Sequence, residues 1–359
     1  MAPITDRSDE SSPSLDSLPT AFDPATCTRR GLCPVTKMRP QGSETLESHS
    51  LYYELHGKGT RHKVVFIMGL NSSSFAWGPQ VEWFGRDGFE KEGWRVGKEK
   101  SGVGASILVF DNRGVGNSGY PRGPYTTSGM AEDLICLLDD LGWTGKRELN
   151  IVGVSLGGMI AQEVAYRIPE RIQSLVLTVT TPGGHVWNNL PPLSGMTSLA
   201  RLMVTTEPAP KVKLVLDMLY PLKWLEEKAE DDPQGRSNRD VQTESYLRRI
   251  EITKPQLFLG HISQMCSGLT HHVSPERLRI ISASIPKVLI LTGDEDSLVN
   301  PANSFRLKAS MPEAELVQWE ETGHGINNQR ARRFNEALEK TWEEGKRRVE
   351  EEPERWGAT

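Results

Sequence analysis

The stretch Asn150–Gln162, NIVGVSLGGMIAQ, constrains this chain more than any other. Ile151, Val152 and Val154 form a short branched apolar run, the composition of a buried strand. Ile160, Val164 and Ile168 then recur at helical spacing until Pro169, which predicts a helix that stops there. Between the two sits Ser155, with glycines at 153, 157 and 158. Two glycines are poor residues on which to open a helix. Their presence calls for backbone without Cβ atoms, where a strand turns sharply into a helix and lifts a serine hydroxyl off the sheet edge.

The same rhythm runs along most of the chain. HSLYYELHG followed by HKVVFIMG predicts an early strand pair with a Gly-rich turn. SILVFD (106–111), ELNIVGV (148–154), IQSLVLTV (172–179), KVLILTG (287–293) and AELVQWE (314–320) are further strands. Met130, Leu134, Leu138 and Leu141 mark a helix between two of them. Alternating strands and helices predict an α/β fold, a mostly parallel doubly wound sheet. Residues 1–45 are rich in Ser, Pro, Asp and Thr and read as a disordered tail. The core is expected at 46–181 and 286–359. Residues 182–285, helical in pattern, are expected as a cap inserted over one end of the sheet. The last thirty residues, strongly charged, predict a solvated surface helix.

Composition excludes several classes of function. With 42 Lys plus Arg against 47 Asp plus Glu, net charge −5, the chain has no basic character for nucleic acid or an anionic membrane. No apolar run approaches the roughly 18 residues of a membrane span, so integral membrane association is not expected. Four cysteines, Cys27, Cys33, Cys136 and Cys266, are too few and scattered for a disulfide scaffold or a metal site, although a Cys27–Cys33 bridge stays open. The early acids Asp6, Asp9, Glu10, Asp16 and Asp23 speak against an organellar leader, and a cytoplasmic location is expected.

The segment GVSLG, Gly153–Gly157, fits G-x-S-x-G between a strand and a helix. A serine hydroxyl is a weak nucleophile until a base removes its proton. His324, on the glycine-flanked loop ETGHGI after the last strand, is placed to be that base. An imidazole in that role needs an acid to fix its tautomer, and LTGDEDSLVNP offers Asp294, Glu295 and Asp296 after its strand. Two backbone donors are expected to hold a developing oxyanion: the N–H of Leu156, just after the serine, and that of Leu70, behind Gly69. The alternative for Asn71 and Ser72–Ser74 is a polar turn with no catalytic part. GVGNSG, at Gly114, Gly116 and Gly119, matches the dinucleotide pattern G-x-G-x-x-G, but YPRGPY follows where a helix would have to open, and nucleotide binding is rejected.

Over about residues 46–359 the chain resembles the α/β-hydrolase superfamily. DNRGVGNSG is similar to the family's D-x-R-G-x-G-x-S segment, VGVSLGGM to its nucleophile turn, GDEDSLVNP to its acid loop and GHG to its histidine loop. In the family's G-x-x-D pattern, counted from Gly293, the acid falls on Asp296, with Asp294 as the fallback. The chain departs from the usual His-Gly at the oxyanion loop, having Met68-Gly69. MGLNSSSFAW and TVTTPGG look closest to the methylesterase-like and lactonase-like branches. A serine where related epoxide hydrolases and haloalkane dehalogenases carry aspartate argues against those chemistries.

The resemblance implies a Ser155–His324–Asp296 triad working through an acyl-enzyme on a small ester, lactone or thioester, with no metal or organic cofactor. It places the substrate between the sheet edge and the 182–285 segment. Met68, Asn71, Trp187 and Met203 are the expected contacts, and Met196, Leu199 and Trp224 make the pocket apolar or simply form the core of that segment. Carbon–carbon bond hydrolysis, acyl transfer and ligand binding without turnover remain alternatives on the same constellation. Oligomeric state is left open.

Overall fold

The computed structural model describes residues 18–35, 49–86, 104–205, 207–230 and 232–357. Eight strands form one sheet: β1 Cys27–Cys33, β2 Leu51–His56, β3 His62–Ile67, β4 Ala105–Phe110, β5 Leu149–Val154, β6 Ile172–Thr178, β7 Lys287–Gly293 and β8 Glu315–Trp319. Their spatial order is β1-β2-β4-β3-β5-β6-β7-β8. Strands β3 to β8 run parallel, while β1 and β2 are antiparallel additions at one edge. The expected early hairpin therefore does not form. Strand β4 lies between β2 and β3 and takes up the hydrogen bonds of both.

Helices follow as α1 Gly78–Gly85, α2 Thr127–Asp140, α3 Leu156–Arg167, α4 Leu193–Val204, α5 Pro208–Leu219, α6 Leu222–Glu226, α7 Asn238–Ile252, α8 Phe258–Leu269, α9 Pro275–Ser284, α10 Ala302–Ser310, α11 Ile326–Gln329, α12 Ala331–Glu351 and α13 Pro353–Trp356. The period-two pattern of the strands sends side chains into two separate cores. Val65, Ile67, Ile151, Leu175 and Leu177 face α2, α3, α9 and α10 on one side. Val64, Phe66, Val152 and Val176 face α1 and α12 on the other. The charged C-terminal helix is thus more than a solvated face: Phe334, Leu338 and Trp342 recur along α12 and are fully buried on the sheet.

Two boundaries differ from those expected. Part of the supposed tail belongs to the fold, since Leu18 and Phe22 are buried and β1 pairs with β2. An edge strand whose Thr28 and Arg29 face solvent carries too few apolar residues to announce itself. Residues 1–17 and 36–45 lie outside the described residues. At the other boundary, α9 packs on α3 through Leu278 and Ile281, with Arg277 bound to Glu163 at 2.7 Å, so it belongs to the layer covering the sheet. No disulfide joins any of the four cysteines among the described residues. Cys27 and Cys33 stand at opposite ends of β1, where an extended strand holds them roughly 20 Å apart, far beyond bridging range. None of the described helices is long and apolar enough to cross a membrane.

The DNRG segment is structural. Asp111 accepts from the Ser74 and Asn117 amides at 2.7 and 2.8 Å, closing the loop after β4. Gly116 takes a φ of 59°, with Asp111 Oδ2 only 2.1 Å from where a Cβ would stand. The next helix after this loop begins at Thr127. Arg113 forms a two-pronged pair with Asp133 of α2 at 2.6 and 2.8 Å, and His49 reaches the same carboxylate at 3.2 Å. All three are buried.

Burial alone would raise the Asp133 pKa, but the His49 bond and the Arg113 charge outweigh it and hold the carboxyl below its ordinary range. A carboxyl depressed in the folded state stabilises the fold above its unfolded pKa of about 3.9, and that contribution fades as pH falls below it. Asp133→Asn is expected to cost about 3–5 kcal/mol, the penalty for orphaning a buried guanidinium. Urea unfolding followed from about pH 5 to about pH 3 should fall less steeply for the variant than for wild type; parallel pH curves would mean that Asp133 carries none of the acid sensitivity.

Candidate active site

Strand β5 lies near the centre of the sheet, between β3 and β6, and its last residue is Val154. Ser155 follows in a left-handed conformation, φ 56° and ψ −121°, and α3 begins at Leu156. Holding a side chain there costs on the order of 1–3 kcal/mol. The cost is met by backbone packing that only glycine permits. A Cβ on Gly157 would stand 2.0 Å from the Ile67 carbonyl oxygen, and one on Gly153 would stand 2.4 Å from that of Gly157. A Cβ on Gly158 would meet Thr180 at 2.7 Å. Thr180 Oγ1 also donates to the Ser155 carbonyl at 2.8 Å, and the Ser155 amide donates to Thr178 at 2.9 Å.

Parallel strands bring the other loops to the same C-terminal edge. After β3, Gly69 lies against the serine, its Cβ position 3.1 Å from Ser155 Cβ. Leu70 and Leu156 are neighbours of this contact, and neither N–H donates to a protein acceptor among the described residues. After β7, Asp296 is buried and its Oδ1 accepts the amides of Leu298 and Val299 at 2.8 and 2.9 Å. After β8, the Nδ1 of buried His324 meets Asp296 Oδ2 at 2.8 Å and Oδ1 at 3.0 Å. Asp294 points elsewhere: it is exposed and accepts from the Thr322 amide at 3.1 Å. The geometry pairs His324 with Asp296, leaving its Nε2 without a protein partner among the described residues. Ser155 Oγ makes no hydrogen bond to His324 among the described residues, as is common before a substrate tightens such a site.

The segment between β6 and β7 touches each of these loops. Gln264 of α8, fully buried, accepts the Asn71 amide at 2.8 Å through Oε1 and donates to the Arg113 carbonyl at 2.8 Å through Nε2. Ser297 donates to the Met218 carbonyl at 3.0 Å, and the Gly325 amide donates to Leu219 at 2.8 Å. The glycines beside His324 let this contact form, since Cβ atoms there would strike the Leu219 carbonyl and the Tyr220 ring at 2.6 and 2.4 Å. Gln264 was not foreseeable: it lies 193 residues from Asn71 and belongs to no local pattern.

The expected substrate contacts fare unevenly. Met68 is buried in the core shared with Phe75 and Val154, and its carbonyl accepts from Asn112 at 2.9 Å. Asn71 is half-buried at φ 55°, beside the site, with no partner for its Oδ1 among the described residues. Trp187 does not line the site: it is 67% exposed and stacks on His185 at 4.4 Å, an aromatic left at the surface by the short turn that precedes α4. The Met203 side chain lies outside the described residues. Trp224 is packed with Leu216, Tyr220 and Leu225 as core of the helical segment, and Met196 is exposed. Clefts of about 540 and 560 Å³ open elsewhere, one at Thr126–Ser128 and Arg277, the other at Pro182–His185 and Arg306; neither is lined by Ser155, Asp296 or His324.

The model of the alpha/beta hydrolase fold family matches residues 64–330. A protein named "Putative carbamate hydrolase RutD" from Azorhizobium caulinodans is 24% identical, over 80% of this chain and 93% of its own. A poly(3-hydroxyalkanoate) depolymerase from Ectopseudomonas oleovorans is 29% identical over 58% of this chain and 65% of its own. Among solved structures, an enol-lactonase from Burkholderia xenovorans LB400 superposes with a TM-score of 0.60 at 20% identity, covering 81% of this chain and 95% of that one.

The glycine packing at the turn leads to a direct test. Gly157→Ala should lower the unfolding free energy by about 1–3 kcal/mol or prevent folding, because carbonyl and Cβ cannot share that space. Gly268→Ala, whose Cβ would first meet Leu156 Cδ1 at 3.9 Å, should leave stability unchanged or slightly raised. Thermal melts of both variants check the contrast, and equal effects would contradict it.

Proposed function

The chain belongs to the α/β-hydrolase fold family, and on that premise we propose that it is a serine hydrolase acting on a small carboxylic ester, lactone or thioester. What carries this reading is the pairing of a left-handed Ser155 at the head of α3 with a buried His324–Asp296 contact of 2.8 Å on the same sheet edge. Ser155 Oγ attacks the substrate carbonyl carbon while His324 Nε2 takes the hydroxyl proton. Asp296 holds the imidazole by Nδ1–H and stabilises the imidazolium. The Leu70 and Leu156 amides receive the oxyanion, each worth about 2.7–4 kcal/mol to the transition state. Collapse expels the alcohol or thiol with the proton from His324. Water, deprotonated by the same histidine, then attacks the acyl-enzyme and releases the acid.

The helices between β6 and β7 serve in this reading as a cap over the serine, with α9 excluded from it. Asn71, half-buried at φ 55°, borders the pocket. The likeness to a protein named as a carbamate hydrolase supports a second reading, in which the same serine is carbamoylated. That chemistry needs no further residue, since a carbamate presents the same carbonyl to the nucleophile.

A panel of p-nitrophenyl esters, lactones, thioesters, carbamates and vinylogous diketones separates these outcomes, the last reporting carbon–carbon cleavage. Ser155→Ala and His324→Ala are expected to abolish turnover without unfolding the chain. Asp296→Asn should lower kcat on the order of 10⁴-fold. Asp294→Asn, at an exposed position whose bond an amide can keep, should stay within about threefold. If the two aspartate effects are reversed, the acid is misassigned.

A further inference from the structure

At the sheet edge formed by β1 and β2, three side chains with metal-binding atoms converge. One donor atom each from Cys27, Glu54 and His56 lies within 4.8 Å of the other two. The strands explain the meeting. Glu54 and His56 share a face of β2 at spacing two, Cys27 pairs across from His56, and an irregularity between Cys27 and Arg29 shifts the register there. Glu54 and His56 are fully buried, and Cys27 is half-exposed, so the group is open to solvent on the thiol side only.

The hydrogen bonds around the group determine where its protons can be. Thr26 Oγ1 lies 2.8 Å from both the Asp23 carbonyl oxygen and His56 Nδ1. A carbonyl oxygen cannot donate, so the single hydroxyl proton goes to Asp23. Thr26 then accepts from His56, and Nδ1 carries the ring hydrogen. This turns Nε2 inward, where it has no hydrogen-bond partner among the described residues and stands 3.4 Å from Glu54 Oε2. Glu54 Oε1 is bound by Tyr52 at 2.7 Å and by Thr20 at 2.9 Å, and Thr20 also touches Oε2 at 3.1 Å. The Cys27 thiol is turned to the Arg29 carbonyl at 3.6 Å. A ring nitrogen, a carboxylate oxygen and a sulfur thus present electron pairs to one another, an arrangement that a cation between them would satisfy.

We propose that Cys27, Glu54 and His56 form a site for a divalent zinc-like cation, which clasps edge strand β1 to β2. Mixed sulfur, nitrogen and oxygen donors are those Zn²⁺ prefers. Its bonds of about 2.0–2.3 Å set neighbouring ligands roughly 3.3–3.7 Å apart around a tetrahedron, which the 3.4 Å His56–Glu54 spacing already meets. The fourth position faces the half-exposed side and would take water. The Thr26–His56 bond orients the ring as second partners of metal-bound histidines do. Binding replaces the Cys27 S–H bond by a metal–sulfur bond and releases the proton to solvent.

The test uses the full chain without a histidine tag, stripped with chelator and titrated with ZnCl₂ in a calorimeter, and with CoCl₂ followed by absorbance. One equivalent of zinc should bind and raise the Tm, and cobalt should show a thiolate charge-transfer band. Cys27→Ser, nearly isosteric at a half-exposed position, should lose that band and weaken zinc by roughly tenfold or more, with ester hydrolysis unchanged. Cys266→Ser should behave as wild type. Absence of saturable one-equivalent binding by wild type, or zinc affinity undiminished in Cys27→Ser, overturns the site.

Discussion

The contact on which the rest of the site depends is the approach of the Gly157 backbone to the Ile67 carbonyl at the end of β3. It brings the first turn of α3 against the neighbouring strand, and with Gly153 and Gly158 it lets β5 turn into a helix within one residue. Ser155 is forced to positive φ by that turn, and the strain is supported by packing on three sides. The same geometry frees the Leu156 amide and brings Gly69 beside the serine. Backbone proximity therefore defines both the position of Ser155 and the place where, in the proposed function, a negative charge would be held.

A second level of organisation comes from the helices between β6 and β7. They do more than cover the sheet edge, because each loop of the site is fastened to them by a specific bond. Gln264 holds the loop after β3 and the loop after β4 at once, Met218 takes the Ser297 hydroxyl, and Leu219 takes the Gly325 amide. Movement of this segment would be felt by the loops after β3, β7 and β8 together. Pre-organisation of such loops is what gives fixed dipoles their value in a transition state.

Much of this was legible in the residues because periodicity and glycine placement are local signals. Strands β4 to β8, helices α2 and α3, Ser155 and His324 all stood out from spacing alone. The preference for Asp296 over its neighbours came from the family resemblance; Asp296 is the buried one, 2.8 Å from His324, while Asp294 is exposed. What escaped was set by long-range pairing. Strand β1 is a polar edge, β4 inserts between two strands that looked like a hairpin, and Gln264 reaches Asn71 across 193 positions. The meeting of Cys27 with Glu54 and His56 depends on strand register, which no local pattern of cysteines reveals. Trp187 illustrates the opposite error: an aromatic in a helical insertion invites a binding role, yet it stands largely in solvent.

The central claim is that Ser155 is an activated nucleophile. Intact mass spectrometry of the folded chain after exposure to a fluorophosphonate tests it most directly, with Ser155→Ala treated in parallel. A single covalent adduct is expected on wild type and none on the variant. A well-folded wild type that stays unmodified, or a variant labelled to the same extent, would contradict it.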